Sequence, residues 1–367
     1  MNSRERLLTA LRCEEPDRVP FLESYVEEPV AAALLGKTGS EPRPDDGLGA
    51  GPVHTGMRPP SGSCYGAHEI VQSLGLDAIG VSFYLPNLGI KKKIDGRTML
   101  VGGDIASAAD VARIELPDPD SPALYEPLQR FIERYRGTQL ALFCRLPLGS
   151  DPVVLGMGFE NFAYAVYDDP ILVESLFERY AGWYAKAMKN LCRLDFDFIW
   201  SGEDIAYKSG PYVSPDMFRK LFMPYYRRVA EQITKPWIFH SDGNLMPILD
   251  DLLSLGLSGL HPIEPGPMDL GHLKRHYGKN LCLCGNISVD TLSQGKPQDI
   301  DQLVKEAIAV AGPGGGYIAG SSNSITSYCA PENVRAMQKA ILKYGHYPLS
   351  STAPAEPSVR AGLQERA

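Results

Sequence analysis

The sequence predicts a (β/α)8 barrel whose working end lies at the carboxyl termini of its strands. Three observations carry that prediction. Eight short apolar segments recur along the 367 residues, most of them separated by helical patterns. Three of the segments break on polar residues of catalytic type: Pro236-Trp-Ile-Phe-His240-Ser-Asp242-Gly243-Asn244, Phe196-Asp-Phe-Ile-Trp-Ser-Gly-Glu203-Asp204 and Gly316-Tyr-Ile-Ala-Gly-Ser-Ser-Asn323. No Gly-x-Gly-x-x-Gly turn follows an early segment, which disfavours the rival doubly wound open sheet.

The eight segments run Arg18 to Glu23, Asp77 to Phe83, Gln139 to Leu146, Asp195 to Ser201, Trp237 to His240, Gly259 to Ile263, Asn280 to Gly285 and Gly316 to Gly320. Ser121-Pro122, Asp169-Pro170 and Ser214-Pro215 each set a capping residue before a proline suited to a first helical turn. Ile171 to Leu191 places Leu172, Leu176, Tyr180, Trp183 and Met188 on roughly one face. Helical patterns at Met246 to Leu255, Pro297 to Ala311 and Pro331 to Tyr344 follow the fifth, seventh and eighth segments. The predicted organisation is one barrel domain over 1–348. It carries a Gly/Pro-rich excursion at 36–66, either a lid or simple disorder, and an unstructured tail over 349–367.

Composition narrows the function. The chain is 44% apolar, enough for a full core, and no apolar run approaches the roughly 20 residues of a membrane span. A formal charge of -8 argues against nucleic acid or an anionic membrane as the main partner. Met1 to Leu11 reads as a short amphipathic helix and not as a signal peptide. Seven scattered cysteines suggest reduced thiols and a cytoplasmic protein.

His240 falls at a strand end, and Asp242, two residues on, shares its side of an extended chain. The plain alternative is a structural histidine, with Asp242 and Asn244 capping the helix at Met246. Glu203 is the better placed of the two acids closing the fourth segment, and Asp204 reads as loop-exposed or as a turn cap. Glu264 is a further rim acid, and Asn323 lies among small hydroxylated residues that either bind an anion or form a plain turn. Cys282-x-Cys284 has the period of a strand and reads as two core residues. His272 and His276 read as surface residues, and Cys329 as a minor candidate near the mouth.

The opening Arg4-Glu-Arg-Leu-Leu-Thr-Ala-Leu-Arg-Cys-Glu-Glu-Pro-Asp-Arg-Val-Pro resembles the start of the uroporphyrinogen decarboxylase superfamily. So do Pro236 to Asn244, Gly285-Asn286-Ile287-Ser288 and Ala330-Pro-Glu-Asn-Val. The resemblance runs in order from about Asn2 to Tyr347 and implies a barrel with its site at the strand carboxyl ends. Where true decarboxylases carry an arginine-rich segment after the first strand, this chain has Phe21-Leu-Glu-Ser-Tyr-Val-Glu-Glu-Pro. Asn323 also stands in place of a late histidine. An acidic segment there repels a polycarboxylate porphyrin.

The zinc-dependent, corrinoid-linked methyltransferases form the other branch. In its coenzyme M members, zinc is bound by a His-x-Cys pair and a later cysteine. His240 matches that histidine, while Asp242 and Asn323 stand at or near the cysteine positions, a harder site suited to an oxygen-bearing donor. The resemblance thus implies Zn²⁺ held by His240, Asp242 and Glu203, with Glu264 and Asn323 nearby. It further implies a small methylated substrate and a corrinoid supplied by a partner protein, because the sequence lacks Asp-x-His-x-x-Gly. A homodimer is left open. A cofactor-free lyase or decarboxylase of a small acid, with Asp242 or Glu203 handling the proton, is the second reading. A non-catalytic binding module is the third.

Overall fold

The computed structural model describes residues 1–37, 67–85, 88–94 and 97–349. Seven parallel strands hydrogen-bond in chain order: Ala78–Ser82, Ala141–Leu146, Phe198–Gly202, Trp237–His240, Gly259–His261, Cys282–Ile287 and Tyr317–Ser321. Helices cover the outside, among them Pro170–Leu191, Pro297–Ala311 and Pro331–Tyr344. Asp169 and Ser214 accept hydrogen bonds from Leu172 N and Met217 N, as the capping signals predict.

The first predicted strand is a correction. Arg18 to Glu23 forms no ladder; it contributes a parallel bridge from Phe21 to Ala319 and an antiparallel one from Arg18 to His346. Pro20 has no N–H to give to a ladder. The segment still closes the cylinder: Pro20 O accepts from Ala319 N at 2.9 Å and Phe21 O accepts from Asp77 N at 2.9 Å. Gly320 permits this approach, since a Cβ there would collide with Leu22 O.

Side chains alternate strictly along the strands. Ala141 and Phe143 point into the cylinder, as do Phe198 and Trp200, while Leu142, Cys144 and Ile199 face the helices. Both faces are therefore apolar, as a fully covered parallel sheet requires. The helix Ser3–Leu11 plugs the amino end, with Leu7, Ala10 and Leu11 packed onto Phe143, Trp200 and Cys282. Beneath it the fully buried carboxylate of Asp77 accepts from Arg6 (2.6 Å), Arg18 (3.0 Å) and Phe21 N (2.8 Å). With the floor sealed, access to the interior is from the carboxyl end.

Two small antiparallel hairpins went unread in the sequence: Gly89–Ile94 with Arg97–Gly103, and Ala206–Tyr207 with Gly210–Pro211. The helix expected over Met246 to Leu255 is a 3-10 turn, Met246–Ile248, followed by Leu249–Leu253. Residues 38–66, most of the predicted excursion, and 350–367, nearly all of the predicted tail, lie outside the described residues.

Candidate metal and substrate site

At the open end, parity decides which side chains meet. The inward register of the Phe198–Gly202 strand (198, 200, 202) continues to Asp204 and turns Glu203 the other way. The same rule sets His240 and Asp242 on one side. Asp204, His240 and Asp242 converge, each offering a ligand atom within 4.8 Å of the others, the one such cluster among the described residues. His240 Nε2 lies 3.7 Å from Asp204 and 3.9 Å from Asp242. Those spacings are too long for hydrogen bonds and slightly wider than the edge of about 3.4 Å that tetrahedral zinc sets between its ligands.

His240 Nδ1 pairs with His261 Nδ1 at 2.7 Å. With His240 donating, its Nε2 lone pair faces the two carboxylates, which is the tautomer a metal requires. Both imidazoles are buried and held neutral, their pKa values pushed well down by burial; His261 is also lowered by His240, and Arg145 lowers both. Asp242 is pushed up to about 7, first by burial and then by the charges of Asp204 and Glu264. Its Oδ1 is buried without a partner, while Oδ2 accepts from Asn323 Nδ2. An orphaned carboxylate oxygen, an unprotonated imidazole nitrogen and a second carboxylate at near-ligand spacing fit a divalent cation.

Glu203 stands apart from this cluster. Its carboxylate is fully buried and accepts from Leu148 N, Gly149 N (2.8 Å), Ser150 Oγ and Asp151 N (2.8 Å). Burial raises its pKa to about 7 against the lowering effect of those four donors. A carboxylate saturated by a backbone turn has no lone pair directed at the mouth, so Glu203 is not among the groups that could hold a metal ion here, and Asp204 is. The reason is the one-residue alternation of the extended chain.

The remaining predicted residues gather on one side. Asp242, Glu264 and Asn323 line a cavity of about 370 Å³, with Lys208 and Ser288. Glu264 accepts from Gly243 N at 2.8 Å and lies 3.8 Å from Lys208. Asn244 does cap the following turn, accepting from Met246 N at 3.0 Å, whereas Asp242 does not. Cys282 and Cys284 are buried strand residues, as read. His276 is exposed and stacked on His272, away from the cluster. The six described cysteines are free thiols, and Cys329 sits beside Ser293 and Thr326.

Sequence reasoning passed over His261, Asp204 and Arg145. The signal was available in each case. All three lie on the inward parity of a strand whose earlier inward residues are apolar or small, which makes a polar residue there point into the mouth.

A closed parallel barrel with a histidine–carboxylate cluster at its open end belongs to the metal-competent α/β barrels. More narrowly, residues 59–344 match the uroporphyrinogen decarboxylase (URO-D) family, and the chain belongs to it. A uroporphyrinogen decarboxylase from Methylococcus capsulatus is 22% identical over 269 residues, covering 68% of this chain and 73% of that protein. A solved methyltransferase from Methanosarcina mazei superposes with a TM-score of 0.68 at 19% identity, over 94% of this chain and 99% of the other, and so shares the fold. Among the described residues no helix is long and apolar enough to cross a membrane.

Proposed function

We propose that this protein is a metal-dependent methyltransferase that moves a methyl group from a small O-methyl donor to a corrinoid carried by a separate protein. The observation that carries the reading is the Asp204–His240–Asp242 cluster, whose ligand atoms all lie within 4.8 Å of one another and in which Asp242 Oδ1 is buried without a partner. Asp204, His240 and Asp242 would hold the ion, in place of the His240, Asp242 and Glu203 set read from the sequence. Bound there, zinc would supply Lewis acidity toward an ether oxygen. His261 fixes the His240 tautomer, and Asn323 orients Asp242 through its amide. Glu264 steadies the turn at Gly243 that presents Asp242. The methyl group leaves the donor as a formal cation. Both bonding electrons stay on the donor oxygen, and the acceptor contributes the pair for the new bond.

The test is metal analysis followed by transfer assays. Purified protein should contain about one divalent ion per chain, removable by chelation and restored by zinc, and methyl transfer from methoxylated compounds to reduced cobalamin should track that content. Asp242→Ala should lower occupancy with the fold retained. A protein that neither contains nor takes up a divalent ion sinks the reading.

A second reading has its own support. Without a cation, Asp242 titrates near 7, where a carboxyl both gives and takes protons at neutral pH. A cofactor-free lyase acting on a small acid would keep full activity in strong chelator with no corrinoid present.

A further inference from the structure

Arg145 is a charged residue inside the cylinder whose field lowers the pKa values of both imidazoles but whose own hydrogen-bonding capacity is unused among the described residues. It lies on the inward parity of Ala141–Leu146, above Ala141 and Phe143, in register with Ser82 on one side and Trp200 on the other. Its guanidinium makes no ion pair or hydrogen bond among the described residues, and its Nε is buried with no acceptor. The neighbouring strand makes room for it. A Cβ at Gly202 would lie 2.9 Å from Arg145 Nη2 and 3.3 Å from Tyr84 Oη, so the guanidinium and the phenol converge over that glycine.

Arg145 acts on the rim acids only through space: its charge lowers the pKa values of Asp151 and Asp242, without a bond to either. Asp151, Asp204 and Asp242 all lie at the same mouth, and Arg145 bonds none of them. Asp151 instead accepts from Asp204 N, and Asp242 accepts from Asn323. Lys208, which lines the outer cavity, is already 3.8 Å from Glu264. An unpaired guanidinium N–H held away from water is costly, and a planar oxyanion would recover that cost through paired charge-assisted bonds.

We propose that Arg145 is a specificity-determining residue that receives a carboxylate of the substrate, with Tyr84 Oη as a second donor. This deepens the reading of the mouth as the donor site and rests on it. It names the donor class: a small organic acid bearing a methyl ether, its carboxylate on Arg145 and its ether oxygen toward Asp204, His240 and Asp242. Burial raises the pKa of Tyr84, so its phenol keeps the proton it donates. Arginine suits the task because its fork matches both oxygens of a carboxylate, which a lysine cannot do.

Equilibrium calorimetry with para-methoxybenzoate and its neutral counterpart para-methoxybenzamide tests this without turnover or corrinoid. Wild-type protein should bind the acid at least about tenfold more tightly than the amide. Arg145→Gln should abolish that preference and leave metal content unchanged. Gly202→Ala, which keeps the charge but crowds its seat, should weaken the acid selectively. Should Arg145→Gln fail to fold, Gly202→Ala and Tyr84→Phe carry the test. Equal binding of acid and amide by wild type, no binding of either, or an undiminished preference in the variants overturns the proposal. Repeating the titration in chelator separates the two readings: a preference that survives in metal-free protein keeps the Arg145 site even where the metal assignment fails.

Discussion

His240→Ala should weaken zinc binding at least about a hundredfold while leaving the barrel folded. Nε2 is the single nitrogen in the cluster, and both carboxylates reach toward it. Removing even an outer partner of a zinc ligand typically changes affinity by about 10–100-fold, so loss of a direct ligand must exceed that. His261→Ala sets the scale within the same molecule. It leaves the three ligands in place but removes the bond that fixes the His240 tautomer, so it should fall within about 10–100-fold. Competitive titration against a coloured chelator, with circular dichroism as the fold control, reads both. Unchanged affinity in His240→Ala would remove the cluster as a metal site.

The second large effect is on stability. Glu203→Ala strips the acceptor from three backbone N–H groups and the Ser150 hydroxyl in a fully buried setting. Each stranded donor costs about 1–3 kcal/mol, so the total should reach about 4 kcal/mol or more, a large part of the 5–15 kcal/mol that holds a typical domain together. Glu203→Gln keeps the shape but turns an amide N–H toward donors, and should cost about 1–3 kcal/mol. Urea unfolding measures both. Metal content is the discriminating readout. Folded Glu203→Gln should bind zinc as wild type does, and a loss there would restore Glu203 as a ligand.

The pH dependence of stability should carry the mark of Glu23. This fully buried carboxyl is raised to about 8 by burial, despite accepting from Ser321 N and Oγ. A carboxyl whose folded pKa lies above its unfolded value near 4.3 favours the folded state most at acid pH; that contribution is lost as pH rises from about 4.3 through about 8. Glu23→Gln should therefore flatten the stability profile across that window and leave the variant the more stable protein above pH 8. Unfolding midpoints that fall equally with pH in both proteins would show that Glu23 is solvated.

Local pattern was enough to place seven of the eight strands, because short apolar runs ending on polar residues encode both the element and the end of the barrel that carries the site. The eighth needed the third dimension. Pro20 removes a ladder donor, and Phe21 joins the cylinder through an isolated bridge to Ala319 and hydrogen bonds with Asp77. His240 and Asp242 were legible for a local reason as well, since two residues apart on an extended chain share a side.

The choice between Glu203 and Asp204 shows where local reading stopped. Both are acids at the same strand end, and composition favours neither. The strand's parity selects Asp204 for the mouth, while the turn at Leu148–Asp151 supplies the donors that make Glu203 an internal brace. That turn is more than fifty residues away in the chain, and its N–H groups point at Glu203 only once the two strands pair.

The amino-acid order by itself determined the barrel, its polar rim and the family, because periodicity and motif spacing are properties of neighbouring residues. Only the tertiary structure decided which acid faces the imidazole, that His261 buttresses it, and that Arg145, unpaired among the described residues, points into the same mouth. Those facts depend on strand register and on the distances between groups remote in the chain, which no single segment contains.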